Sequence, residues 1–187
     1  PFAPRATPCA PSPAPWPKVA SSSLILSGSC SEMTRQQVAT WKTTYPAFQI
    51  NPEDPESAGQ ALAWWRHQAP DQTCLIYATD TPERVKASQA LLGIHEAGQR
   101  IEAAMARIAA EAYASGVRRF VIAGGETSGA VTQVLGIAQV LVGPEICPGV
   151  PWVFANQSSD PLALALKSGN FGGPDFFIDA LNALKDL

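Results

Sequence analysis

The 187-residue chain carries 13 Lys and Arg against 16 Asp and Glu, a net charge of −3, and is 46% apolar and 16% charged. That balance excludes a disordered polyelectrolyte. The weakly acidic surface, with no Lys/Arg run longer than two, argues against nucleic acid or an anionic membrane as the main partner.

Residues 1–17 hold seven prolines and no apolar periodicity. The segment 1–19 is therefore expected to be a Pro-rich linker or strap, ahead of one domain over 20–187. The chain opens inside this segment without Met, which suggests a piece of a longer protein with a domain joint upstream. No signal peptide is evident, and no apolar run nears the ~18 residues of a membrane span.

Leu24-Ile25-Leu26 predicts a buried strand, followed by Ser27-Gly28-Ser29-Cys30-Ser31 and a helix over 32–43 with Thr34 and Gln37 at capping-box spacing. A brief strand is expected at 48–50, an acidic turn at 51–56, and a helix over 56–68. A strand at 73–77 and a turn at 80–83 come next. The strongest amphipathic pattern runs from Ile94 to Ser115. Ile94, Ala97, Ile101, Ala104, Met105, Ile108 and Ala112 share one face, Glu96, Arg100, Arg107 and Glu111 the other, and Gly116 is the stop.

A β-branched strand at 119–123 leads into Ala123-Gly124-Gly125-Glu126-Thr127-Ser128-Gly129-Ala130 and a helix carrying Val131, Val134, Leu135 and Ala138. Further strands are expected at 138–142, 150–154 and 162–166, and a last helix from Pro174 to about Leu184. Alternating helices and continuously apolar strands imply an α/β fold. Its sheet is mainly parallel, with helices on both faces in three layers, and ligands bind beyond the strands' carboxyl ends.

The glycine-rich turn at 124–129 has two readings. A helix that starts directly after a strand aims unpaired N–H groups and partial positive charge into the crevice, which suits an anion. Gly124 and Gly125 allow close backbone approach, and Thr127 and Ser128 add hydroxyls. The same residues also make a plain tight turn, and the pattern is neither a Walker A loop nor Gly-x-Gly-x-x-Gly. Glu126 reads as a helix-start carboxylate that stabilises the dipole.

Two companion loops repeat the pattern. Ser27–Ser31 surrounds one glycine with hydroxyls, and Lys167-Ser168-Gly169-Asn170-Phe171-Gly172-Gly173 precedes the last helix with Pro174 at its start. Lys167 is the one lysine placed to serve such a site, or it snorkels from a strand end. The four cysteines form no Cys-x-x-Cys pair: Cys74 and Cys147 read as small core residues, Cys30 as packing, and the expected compartment is the reducing cytoplasm. His67 and His95 have no partner at ligand spacing. No Ser-His-Asp or Cys-His grouping and no metal-ligand cluster is evident. The tryptophans read as core or domain-interface anchors.

Ser-Gly-Ser-Cys-Ser with Thr34 and Gln36-Gln37, then Ala-Gly-Gly-Glu-Thr-Ser-Gly-Ala-Val, then Leu-Lys-Ser-Gly-Asn-Phe-Gly with Asp175-Phe176-Phe177 resemble the four-carbon acid sugar kinases. That family includes 3-oxo-tetronate, D-threonate and D-erythronate kinases. The resemblance covers roughly 20–185 and implies the C-terminal, ATP-binding domain of a two-domain kinase. Implied with it are ATP and Mg²⁺ as cofactors, nucleotide contacts from Ser29, Gly124, Gly125, Glu126, Thr127, Ser128 and Gly169, and for Glu126 a second role as a water-mediated Mg²⁺ positioner. The implied reaction moves the ATP γ-phosphoryl group to the terminal hydroxyl of a four-carbon sugar acid. The family's N-terminal Asp-Asp-x-Thr-Gly motif is absent, so acid-sugar recognition and the general base are expected outside these residues, and the fragment alone is expected to be inactive. A homodimer stays open, as does a non-catalytic module that binds a small anion.

Overall fold

The computed structural model describes residues 16–20, 22–157 and 160–184. Seven strands form one sheet in the order β2-β3-β1-β4-β7-β6-β5. In chain order they are β1 (Ser23–Ser27), β2 (Ala47–Gln49), β3 (Cys74–Tyr77), β4 (Arg119–Ala123), β5 (Leu141–Cys147), β6 (Val150–Gln157) and β7 (Asp160–Lys167). The pairs β2·β3, β3·β1, β1·β4 and β4·β7 are parallel, whereas β7·β6 and β6·β5 are antiparallel. The mainly parallel α/β sheet expected from the sequence is therefore present, extended at one end by an antiparallel β5–β6–β7 unit.

The helices are α1 (Glu32–Lys42), α2 (Ser57–Arg66), α3 (Pro82–Leu92), α4 (Ile94–Ala114), α5 (Gly125–Val134) and α6 (Phe176–Ala183). Successive residues of a strand serve opposite faces. Leu24, Leu26, Phe120 and Ile122 pack with Leu62 of α2, Met105 and Ile108 of α4 and Val131 of α5. Ile25, Val121 and Trp152 pack with Trp41 of α1 and Phe176 and Phe177 of α6. These are the three layers. Trp16 stacks on Phe154 with centroids 5.6 Å apart, and Val19 O accepts from Arg119 at 3.0 Å, so residues 16–20 lie along the α1/α6 side. The rest of the proline-rich expectation, residues 1–15, lies outside the described residues.

Several local expectations need correction. Residues 82–92 form a helix, where only a turn at 80–83 was expected. Thr81 caps it by accepting from Arg84 N, and Pro82 sits at its first turn, yet only Ser88 of this helix is buried, so no apolar stripe announces it. The N-cap of α1 is Ser31, whose side chain accepts from Thr34 N, and Thr34 and Gln37 are not a capping box. Ile94 is 68% exposed, off the buried face of α4. Helix α5 stops before Gly136, whose φ is 64°, so Ala138 is outside it, and the strand expected at 138–142 runs instead over 141–147. A left-handed residue ends a helix cheaply only when it is glycine.

Candidate functional site

Strands β1, β4 and β7 are adjacent and parallel, so their three following loops emerge side by side. Helix α1 leaves β1 toward one face of the sheet, and α5 leaves β4 toward the other. Between such strands the chain reverses its winding, which opens a crevice at the carboxyl edge. Here the crevice is a cleft of about 1160 Å³. Ser29, Gly124, Gly125, Glu126, Thr127 and Gly169 all line it. Ser128 does not line it, and its Oγ is buried with no described hydrogen-bond partner.

Backbone bonds lock the loops edge to edge. Gly28 N and Ser29 N both donate to Ala123 O, at 3.0 and 3.2 Å, and Gly124 N donates to Lys167 O at 2.9 Å. Gly124 has φ 125°, and a Cβ there would stand 3.0 Å from Thr127 Oγ1 and 3.2 Å from Ser29 N. It is a structural glycine. Thr127 is 3% exposed and its Oγ1 would meet a Cβ on Gly28, so this threonine is a wedge between two loops. Gly125 differs: a Cβ there meets nothing within 4 Å, and its φ lies outside the left-handed region. The space in front of Gly125 belongs to the cleft. The first-turn N–H groups of α5 have no partner in their own helix and point into it.

The third loop is held from beneath. Lys167 is 1% exposed, and its ammonium donates to Gly169 O at 2.8 Å, Thr34 Oγ1 at 3.1 Å and Ser168 O at 3.2 Å. It does not snorkel to solvent. Burial pushes its pKa down to about 8, so the group still carries its proton at neutral pH. Thr34 Oγ1 in turn donates to Gly169 O at 2.7 Å. Gln37 Nε2 donates to Phe171 O and Gly173 O at 3.0 and 2.9 Å, fastening the turn ahead of α6 to α1. Gln37→Ala frees two carbonyls, and is expected to cost about 1–3 kcal/mol in urea denaturation. A change under about 0.5 kcal/mol would mean the clasp contributes nothing.

Helix α3 and the start of α4 form the outer wall, with Arg84, Ser88, Gln89, His95 and Gln99 on the cleft. Sequence reasoning missed α3 and this wall with it, although Thr81-Pro82-Glu83 is a cap, a first-turn proline and an acidic first turn. Ser88 Oγ donates to Glu53 Oε1 at 2.6 Å, which ties α3 to the turn after β2. Cys30 lines the cleft, and burial raises its thiol pKa, so it is a packing residue rather than a thiolate. Among the described residues no cluster of three or more His, Cys, Asp or Glu could hold a metal ion by itself. Mg²⁺ needs no such cage, since it keeps its waters and binds through substrate phosphates with one or two carboxylates. Among the described residues, Asp80, Glu102 and Glu126 are the carboxylates that line the cleft, and Glu126 is exposed at the start of α5.

Residues 24–177 match the family model for a nucleotide-binding C-terminal domain. The chain is 48% identical over 172 residues to a 3-oxo-tetronate kinase of Burkholderia multivorans, covering 90% of this chain and 40% of the relative. It is 50% identical over 167 residues to a 3-oxo-tetronate kinase of Pseudomonas savastanoi pv. phaseolicola, covering 86% and 38%. A crystal structure of a Haemophilus influenzae protein superposes with a TM-score of 0.82 at 37% identity, over 90% of this chain and 42% of that one. The chain thus spans about 40% of the length of the curated relatives it matches. With the family model matched across both faces of the cleft and all three loops but for the tail of α6, the chain belongs to the four-carbon acid sugar kinase family, as its nucleotide-binding C-terminal domain.

Proposed function

We propose that this chain is the ATP-binding part of a kinase that transfers the γ-phosphoryl group to the terminal hydroxyl of a four-carbon sugar acid: threonate, erythronate or a 3-oxo-tetronate. One observation carries the reading. Three glycine-bearing loops, from strands distant in sequence, converge on one cleft and leave an open space in front of Gly125 that no side chain among the described residues fills. Phosphoryl transfer asks for positioning and charge neutralisation rather than covalent help from the protein. Gly125, Glu126 and Thr127 offer the α5 N–H groups to phosphate oxygens. Gly124 and Gly169 keep the loops close, and Ser29 lines the β1 side.

Mg²⁺, when bound with the phosphates, would be held from the protein side by Glu126 through water and would supply neutralisation of the developing charge. The acceptor acid, and any general base, belong to the part of the relatives that this chain does not match. The proposed setting is the cytoplasm: the thiols of Cys30, Cys74 and Cys147 are free.

Thermal melting with ATP or ADP and Mg²⁺ tests the reading. At a nucleotide concentration one hundred times Kd, stabilisation of about 2.7 kcal/mol is expected. A folded protein whose melting temperature ignores both nucleotides at millimolar concentration sinks it.

A further inference from the structure

We infer that Lys167 is a positioning residue for the phosphates of this site, acting from behind the 168–170 loop to turn two peptide N–H groups toward the cleft and to hold a positive charge beneath them. The inference rests on the nucleotide reading above. Its physical basis is the unusual company of a buried ammonium. An ammonium removed from water is costly unless it is well partnered. Among the described residues no carboxylate forms an ion pair with Lys167, and its three hydrogen-bond partners are neutral oxygens. Three acceptors match the three donors of a protonated amine. The charge is thereby held in place but not cancelled.

The direction of the loop follows from peptide geometry. No peptide bond of the described chain is cis, and in a trans peptide the C=O and N–H point in opposite directions. Ser168 O and Gly169 O both point at the ammonium, so Gly169 N–H and Asn170 N–H point away from it. Neither N–H has a described acceptor in the protein. Both amides are thus left to donate to an acceptor on the far side of the loop from the ammonium. Gly169 itself lines the cleft. No other residue fits there, since a Cβ on Gly169 would lie 2.6 Å from Ser29 Oγ and 2.7 Å from Ser31 Oγ. Thr34 steadies the same carbonyl from the side. The ligand class is the polyphosphate of a nucleoside di- or triphosphate, and Lys167 acts on it through the loop.

The test compares ATP with adenosine, which lacks the phosphates, by calorimetric titration of the wild-type protein, Lys167→Met and Lys167→Gln. Both variants are expected to bind ATP about tenfold or more weaker, with adenosine affinity changed less than about threefold. A side chain that only props the fold would lower both affinities together, or neither. An equal loss for the two ligands, or unchanged ATP affinity, overturns the role of Lys167 while leaving the nucleotide reading standing. Failure of the wild-type protein to bind ATP overturns that reading and this inference together. If near-ultraviolet circular dichroism shows Lys167→Met unfolded, the Gln variant, neutral but still an amide donor, decides by the same comparison.

Discussion

Gly125→Val is expected to abolish nucleotide binding, a loss of at least ~100-fold or about 2.7 kcal/mol, with little change in stability. The two halves of that result have separate causes. A Cβ at Gly125 meets no protein atom within 4 Å and the backbone there needs no left-handed φ, so the fold accepts a side chain. Valine is also a better helix former than glycine, which offsets any small strain at the first turn of α5. The two added methyl groups project into the cleft, beside the N–H groups proposed to hold phosphates. Titration with ATP, alongside a denaturation curve, reads both halves. Wild-type affinity in the variant would reduce the loop to a turn. Gly124→Val would be a poor substitute for this experiment, since at φ 125° with Ser29 N at 3.2 Å it disrupts fold and site together.

The largest loss of stability is expected from Trp152→Ala, about 3–5 kcal/mol. Trp152 is fully buried in β6, on the face shared with Phe176, Phe177 and Ala180 of α6. Its Nε1 donates to Ala180 O at 3.0 Å, so truncation empties a large volume and orphans a carbonyl as well. Against a total stability of about 5–15 kcal/mol the loss brings the domain near unfolding at room temperature. Guanidinium denaturation measures it, and a change below about 1 kcal/mol would mean the α6 layer collapses onto the gap. Because Trp152 stands outside the cleft lining, ATP affinity of the folded fraction should be retained.

The central strands were legible because each is a short, continuously apolar run serving two buried faces, as Leu24-Ile25-Leu26 and Phe120-Val121-Ile122 do. Their C-terminal loops were legible because glycine and serine between a strand and a helix have few other reasons to occur in threes. Helix α3 was not legible. It packs chiefly on α4 and exposes most of its surface, including Leu91 at 70%, so it leaves no stripe of period 3.6. The true role of Gln37 was hidden for a different reason: its partners, Phe171 and Gly173, are 134 and 136 residues away, and local spacing suggested a cap instead. Thr34 and Lys167 belong to the same class. Their residue types were visible, while their meeting depends on β7 lying beside β4, which no local pattern reveals.

That placement of β7 has a consequence for how the protein acquires its site. A strand late in the chain is inserted into the middle of the sheet, between β4 and β6. Until residues 160–173 are available, β4 keeps an unpaired edge and the cleft lacks its third wall, whatever the rest of the domain has done. The bonds that complete the site join Thr34 and Gln37 to a loop some 135 residues later. Contacts of such range form slowly, because closure entropy is met before they repay it. During synthesis β4 therefore lacks its second neighbour until residues 160–167 emerge, and the proposed nucleotide cradle is completed only with the loop that follows them.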